Sequence, residues 1–141
     1  MSAGSHSIDE IRKFFSGDRY ATELSGIEID YAERGHSIVS LVPGDRHKNA
    51  VGHLMGAVYF TMADFAFAVA ENCGLEDDHV TVTQSASISF MRACKGGRIQ
   101  AEAMMVKDGK STCVYEVRIT DEEERELARV LMDGFKTSKE P

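Results

Sequence analysis

One long apolar stretch constrains this chain more than any other feature of its sequence. Residues 54–70 read LMGAVYFTMADFAFAVA. On a helix, these apolar side chains would lie on nearly every side instead of forming a single stripe, so the helix must be covered all round. Because one sheet wrapped around such a helix covers about half of its surface, the pattern predicts that a second copy of the chain covers the rest.

A single carboxylate, Asp64, interrupts this stretch. A charged residue at the middle of a helix costs about 2.5–3.5 kcal/mol on membrane-insertion scales, which argues against a transmembrane span. A buried carboxylate is also costly in a soluble protein unless a hydrogen bond satisfies it or the protein uses it. We therefore predict a buried helix over residues 56–73, in which Asp64 either has a functional role or is capped by a strand hydroxyl such as Thr83 or Ser85.

The length and composition describe one soluble globular domain covering residues 1–141. The chain is 43% hydrophobic and 28% charged, and its net charge of -7 disfavours binding to nucleic acid or to an anionic membrane. Its three cysteines have no close spacing, which indicates free thiols in a reducing cytoplasm. The first residues, MSAGSHSIDE, lack the pattern of a signal peptide.

The remaining sequence predicts an α+β fold. Residues 1–19 form an N-terminal helical segment, in which Ser7 and Glu10 have the spacing of a capping box at the start of a helix over residues 7–16. A hairpin is predicted over residues 27–42. Strands are then expected at residues 80–91, 98–106, 111–120 and 127–136, with the KDGK sequence giving a tight primed turn at Asp108-Gly109. The sheet is thus mostly antiparallel, with the apolar helix against one face.

The start of the long helix has the properties of an oxyanion-binding site. Its first residues, Gly56 and Ala57, present unpaired N–H groups at the positive end of the helix dipole, and glycine lets a ligand oxygen approach closely. Asp64 shares a face with Ala57 but lies about 10 Å away along the helix. If both ends act on one carbonyl, the carboxylate must come from one subunit and the helix start from the other.

Four residues of this region carry a family resemblance. Asn49, Gly52, Gly56 and Asp64 follow the spacing N-x-x-G-x-x-x-G-x(7)-D, which resembles the signature of hotdog-fold acyl-CoA thioesterases. The sequence MADFAFAVAENC and the strands that follow are similar to the PaaI-type, phenylacetate-pathway branch of the 4HBT thioesterase superfamily. The resemblance covers about residues 20–137. It implies a hotdog fold, in which an antiparallel sheet wraps around one long helix.

The resemblance also implies a mechanism. Asp64 would act as general base or as nucleophile, the Gly56 N–H would polarise the thioester carbonyl, Asn49 would position the groups, and Thr83 would orient the water. The family usually has H-G-G at the helix start, where this chain has Met55 and Ala57 in place of the histidine and the second glycine. Coenzyme A enters only as part of the substrate, and neither a cofactor nor a metal is expected.

Other residues are predicted to bind the substrate. Met55, Ala57, Phe60 and Phe90 would face the acyl group or the thioester. Five basic residues are expected to gather at one sheet edge and to bind the phosphates of coenzyme A; they are Arg92, Lys95, Arg98, Lys107 and Lys110. The alternative for these charges is a solvated rim.

Structural roles also remain open for two residues of the signature. Asn49 would form an Asx-turn, and Gly56 would allow close helix packing.

Together these features predict a cytoplasmic acyl-CoA thioesterase that forms a homo-oligomer, a dimer or a dimer of dimers. Two alternatives stay open. Met55 favours a non-catalytic hotdog protein that binds acyl-CoA, and a hotdog dehydratase or hydratase would need a catalytic histidine that the helix start lacks. The acyl group is not encoded in any pattern of the sequence, because pocket depth depends on how the subunits meet.

Overall fold

The computed structural model describes residues 6–75 and 78–138, which form one six-stranded antiparallel sheet wrapped around a central helix. The strands lie in the order β1-β2-β4-β5-β6-β3. In chain order the elements are helix α1 (Ile8–Phe15), a π-helical turn (Tyr20–Leu24), strands β1 (Glu28–Glu33) and β2 (His36–Leu41), a 3-10 turn (Asp45–His47), helix α2 (Gly56–Asn72), and strands β3 (His79–Phe90), β4 (Ile99–Asp108), β5 (Thr112–Thr120) and β6 (Glu126–Ser138).

Helix α1 forms where the sequence predicts it. The Ser7 side chain accepts a hydrogen bond from the Glu10 N–H, and the Glu10 carboxylate accepts one from the Ser7 N–H, so the capping box is confirmed. Phe15 is buried and packs edge-on against Phe65 of α2, with 6.0 Å between ring centroids. The guanidinium of Arg12 donates to the Ile29 carbonyl at 2.9 Å. These contacts fix α1 to both the central helix and β1.

The β1–β2 hairpin is also confirmed, and it is attached to α2. Its two-residue turn ends at Gly35, whose φ of 88° is a conformation that favours glycine. The Gly35 N–H donates to the Ala70 carbonyl at 3.0 Å, and the Ser37 hydroxyl donates to the Ala66 carbonyl at 2.6 Å. The two bonds reach carbonyls one helical turn apart, so the hairpin holds the C-terminal half of α2 in register.

The β4–β5 hairpin is present, but the predicted turn chemistry is wrong. Neither Asp108 nor Gly109 has a positive φ, as a primed turn centred on them would require. Asp108 instead pairs with Cys113, and the Gly109 N–H donates to the Thr112 carbonyl at 2.8 Å. The turn therefore lies beyond Gly109. A β-bulge between Met105 and Lys107 shifts the register, which a local sequence pattern does not reveal.

Helix α2 is buried on all but one of its sides by its own chain. Side chains such as Met62, Ala63, Ala66 and Val69 are fully buried against the sheet. One stripe remains accessible, at the spacing of a single helix face. It consists of Ala57, Phe60, Thr61, Asp64 and Ala68. No helix within the described residues is both long and apolar enough to span a bilayer.

Strand β3 lies at an edge of the sheet, beside this accessible stripe of α2. It pairs with β6 on one side only, and most of its residues from Val82 to Phe90 are exposed. Two of the exposed side chains are large and apolar, since Val82 is 46% exposed and Phe90 is 58% exposed. A long unpaired strand with apolar side chains is a template for pairing with another chain.

One glycine of β6 is required by close packing, which gives a first prediction. A Cβ at Gly134 would lie 2.5 Å from the Phe67 ring, 2.8 Å from the Thr81 methyl group and 2.9 Å from the Cys113 sulfur. We expect Gly134→Ala to lower the free energy of unfolding by about 1–3 kcal/mol, as overpacking of a core does. Denaturant titration measures the change.

Gly44 gives the matched control for this substitution, because a Cβ there would meet no atom within 4 Å and its φ is not positive. Gly44→Ala should leave the free energy of unfolding almost unchanged. Equal stabilities for the two variants would contradict the packing described around Gly134.

Candidate active site

Asp64 and Thr83 are in direct contact, as the sequence analysis proposed. The Thr83 hydroxyl donates to one carboxylate oxygen of Asp64 at 2.6 Å, and both side chains are half-buried. Asp64 lies on the accessible stripe of α2, and Thr83 lies on the neighbouring edge strand β3. This contact leaves the second carboxylate oxygen available to a ligand or a water molecule.

Ser85, the alternative partner, points elsewhere. The pairing of β3 with β6 shifts between Thr83 and Ser85, which is a β-bulge. The Ser85 hydroxyl donates to the Asp133 carboxylate at 2.8 Å on the far side of this irregularity. The bulge therefore separates the two hydroxyls, and only Thr83 is directed at Asp64.

A cavity of about 400 Å³ opens beside this pair, and part of its wall was missed by the sequence analysis. Asp64 and Thr83 contribute to one side, while Phe14 and Asp18 of the N-terminal segment contribute to another. Partial burial and the charge of Asp64 raise the pKa of Asp18 above its ordinary value. No sequence signal indicated these two residues, since their position depends on where α1 docks.

The start of α2 lies away from the cavity beside Asp64. Met55 is the N-cap residue, is 51% exposed and makes no capping hydrogen bond with its side chain. In the described part of the chain, the N–H groups of Gly56 and Ala57 have no acceptor, as expected for a first helical turn. A Cβ at Gly56 would lie 3.2 Å from the Phe90 ring, so glycine also permits close packing here.

The loop before α2 is held by Asn49. The Asn49 side-chain oxygen accepts hydrogen bonds from the Val51 N–H at 3.1 Å and from the His53 N–H at 3.0 Å. Asn49 thus forms the Asx-turn that was considered as its structural role. Gly52, with φ of 86°, completes the turn in a conformation that favours glycine. This loop sets the position at which α2 begins.

A second groove, of about 600 Å³, lies over the start of α2. Asn49, Gly56, Phe90 and Arg92 line it, together with Tyr59, which packs against Phe90 at 6.0 Å between ring centroids. Burial raises the pKa of Tyr59 to about 12, so its hydroxyl keeps its proton at neutral pH. Gly56 does not line the cavity beside Asp64, and Asp64 does not line this groove. Within one chain the two proposed groups are therefore separate.

The predicted gathering of basic residues at one sheet edge is wrong. Arg92 and Arg98 lie at the end of the sheet where β4 begins, whereas Lys107 and Lys110 lie at the end where β4 finishes. β4 has ten residues, which separates the two groups by about 30 Å. The extended backbone of β4 explains the error, since residues close in sequence fall at opposite ends of one strand. Arg92 and Lys110 of one chain therefore do not belong to a common phosphate site.

The histidines of this region do not form a metal site. His47 is buried, with its Nδ1 accepting from the Gly44 N–H at 2.9 Å and its Nε2 donating to the Ser25 carbonyl at 2.7 Å. Within residues 6–75 and 78–138 no three His, Cys, Asp or Glu side chains are placed to hold a metal ion. The role of His47 is to fasten the loop before α2 to the N-terminal segment.

Known proteins are similar to this chain in sequence. Residues 51–128, more than half of the chain, match the family described as the Thioesterase superfamily. A 1,4-dihydroxy-2-naphthoyl-CoA hydrolase of Listeria monocytogenes is 30% identical over 105 residues, which cover 74% of this chain and 85% of that protein. The acyl-coenzyme A thioesterase PaaI of Escherichia coli is 30% identical over 116 residues, which cover 81% of this chain and 79% of that protein.

Solved structures share the fold. The PaaI protein from the phenylacetic acid degradation operon of Escherichia coli superposes with a TM-score of 0.79 at 23% identity, covering 94% of this chain and 97% of that one. The protein smu.793 of Streptococcus mutans, solved bound to acetyl CoA, superposes with a TM-score of 0.73 at 26% identity, covering 82% and 91%. The predicted hotdog fold is therefore confirmed, and the chain belongs to the thioesterase superfamily as a PaaI-like member.

Proposed function

We propose that this protein hydrolyses acyl-CoA thioesters to a carboxylic acid and free coenzyme A. The observation that carries the proposal is the Asp64–Thr83 contact at 2.6 Å, on the one accessible stripe of an otherwise buried helix. Two relatives named as CoA-thioester hydrolases and a structural neighbour that binds acetyl CoA support the substrate class. The substrate would be held in the cavity beside Asp64.

A homodimer would complete the site. The accessible stripe of α2 and the unpaired edge of β3 adjoin one another, and both present apolar surface that a second copy would cover. Eight helical residues, or about 12 Å, separate Gly56 from Asp64 along one α2. In an antiparallel pair of helices, the partner's Gly56 would approach Asp64. This arrangement supports a site that each subunit completes for the other.

Each residue of such a site would have its own role in the reaction. Thr83 holds one oxygen of Asp64, and the other oxygen removes a proton from water. The hydroxide adds to the thioester carbonyl, and the negative oxygen that forms accepts a hydrogen bond from the partner's Gly56 N–H. The intermediate then breaks its C–S bond, and the coenzyme A thiolate takes the proton from Asp64. Direct attack by Asp64 on the carbonyl is the alternative first step.

Several side chains have positions that suit substrate binding. Met55, Ala57 and Phe60 are accessible at the start of α2 and on its stripe, where the thioester and acyl chain would pass. Phe90 and Arg92 line the groove over the helix start. One Arg92 nitrogen donates to the Glu126 carbonyl at 2.9 Å, which orients the guanidinium. Its other N–H groups bond to no residue in the described part of the chain and would be available to a phosphate.

A second candidate function is binding of acyl-CoA without hydrolysis. The observation that favours it is Met55, which cannot donate a hydrogen bond to a thioester and caps the helix with no side-chain bond. A binding protein would retain the grooves and the dimer but would lack turnover.

Assays with short, long and aromatic acyl-CoA thioesters separate these functions. Release of the free thiol is followed with a thiol reagent, and binding of the same compounds is followed by calorimetry. The proposal predicts turnover of at least one thioester that exceeds the uncatalysed rate. Binding without turnover of any thioester would overturn hydrolysis and support the second function.

A further inference from the structure

Phe14 lies outside the buried stripe of its own helix. Ile11 and Phe15 face the core, whereas Phe14 is 53% exposed and its ring contacts Phe15 edge-on at 5.1 Å between centroids. Core packing does not explain a half-exposed phenylalanine at this position. Phe14 lines the cavity that also contains Asp64, so its exposed ring offers apolar surface to a ligand there.

The segment that carries Phe14 and Asp18 is fixed in place. Phe15 is anchored on Phe65 and Arg12 on the Ile29 carbonyl, as described for α1. The Asp18 N–H donates to the Phe15 carbonyl at 2.9 Å. This bond ties the backbone of Asp18 to the end of α1. The backbone that carries Phe14 and Asp18 is therefore held beside the cavity, as a binding wall requires.

Within one chain, the acidic and basic groups that line the cavity beside Asp64 have one sign. Asp18 and Asp64 both line it, and no lysine or arginine is among the described residues that do. Arg19 shares a neighbouring pocket with Asp18 and Asp64, but its guanidinium is paired with the Glu23 carboxylate. Its histidine, His79, already lies 3.4 Å from the Asp78 carboxylate. The Asp18 side chain has no hydrogen bond or ion pair to any residue in 6–75 or 78–138.

The rest of the wall is apolar. Phe67, Leu75, Val80 and Val82 complete it. A ligand carboxylate placed among these groups would meet two like charges and no fixed cation. The half-buried Asp64 and the exposed Asp18 would both repel that ligand carboxylate. An uncharged acyl chain would bury its surface against the same walls without this cost.

We propose that Phe14 and Asp18 form a specificity wall of the acyl site, which accepts uncharged acyl groups and rejects acyl groups that end in a carboxylate. The inference rests on the proposed function, because it assigns the cavity beside Asp64 to the acyl group. Phe14 contributes the apolar contact, and Asp18 contributes the negative charge. Both act on binding, so neither has to take part in the chemical step.

The test compares two ligands of equal chain length. Non-hydrolysable thioether analogues of pentanoyl-CoA and of glutaryl-CoA differ only in a terminal methyl group or carboxylate. Calorimetry should show that the wild-type protein binds the pentanoyl analogue at least about tenfold more tightly. Asp18→Asn should reduce that ratio severalfold. Phe14→Ala should weaken binding of the pentanoyl analogue by about 2- to 10-fold, with no change for coenzyme A alone.

Leu24→Ala is the matched control, because Leu24 lies in the π-helical turn that follows the N-terminal segment and is 61% exposed but does not line the cavity. It should leave both affinities unchanged. Equal wild-type affinities for the two analogues, or a ratio that Asp18→Asn does not alter, would overturn the proposed wall. Binding with the expected ratio but without hydrolysis of any thioester would support the wall and reject the hydrolase. Failure to bind either analogue, together with hydrolysis of another thioester of the panel, would reject the wall and keep the hydrolase.

Discussion

Replacing Asp64 with asparagine is expected to lower kcat for acyl-CoA hydrolysis by about 10²–10⁴-fold, the usual contribution of a general base. Asparagine has the same shape, and its side-chain oxygen can still accept the hydrogen bond that Thr83 gives to Asp64 at 2.6 Å. It cannot remove a proton from water or attack a carbonyl. Steady-state kinetics with the best thioester of the panel measures the loss.

The same substitution separates the catalytic role of Asp64 from a structural one. If the carboxylate only satisfies the Thr83 hydroxyl, asparagine replaces it in that role and activity should persist. We expect the free energy of unfolding of Asp64→Asn to stay near that of the wild type while kcat falls. Retention of wild-type kcat would contradict the assignment, whatever the stability.

Gly56→Pro should lower kcat by about 10²–10³-fold, because proline removes the one N–H proposed to stabilise the oxyanion. Proline is well tolerated at the first position of a helix, where the N–H has no helical partner. The preceding residue, Met55, already has the extended conformation that proline prefers before it, with φ of -69° and ψ of 137°. The helix should therefore survive the change, which circular dichroism checks.

Gly56→Ala is the control for the added side-chain atoms. Alanine introduces a Cβ 3.2 Å from the Phe90 ring, as proline does, but it keeps the N–H. We expect a much smaller loss of kcat for Gly56→Ala than for Gly56→Pro. Equal losses for the two variants would mean that Gly56 is needed for its packing with Phe90 and not for its donor.

The features predicted well from the sequence are those that local physics determines. The helix predicted over residues 56–73 and the capping box at Ser7 correspond to α2 and α1 almost to the residue. A strand hydroxyl as the partner of Asp64 was predicted as well, since a carboxylate on a buried helix needs a donor from the adjacent strand. Of the two candidates, Thr83 and Ser85, the structure selects Thr83. These inferences depend only on periodicity, hydrogen bonding and a recognised spacing.

The errors arise where tertiary register decides the outcome. The basic residues from Arg92 to Lys110 are close in sequence, but the length of β4 separates them. The turn lies beyond Gly109 because the pairing of β4 with β5 sets it there, with Asp108 opposite Cys113. Phe14 and Asp18 reach the cavity only because α1 docks beside α2, and their spacing in the sequence carries no sign of it. Such placements follow from packing over the whole domain.

The most direct test of a site shared between subunits is the activity of mixed dimers. Asp64→Asn and Gly56→Pro chains with different affinity tags are co-expressed, and dimers containing one of each are purified over both tags. If Asp64 of one chain works with the partner's Gly56, each mixed dimer holds one intact site and should recover about half of the wild-type kcat. Mixed dimers that remain as inactive as the two parent variants would contradict the shared site.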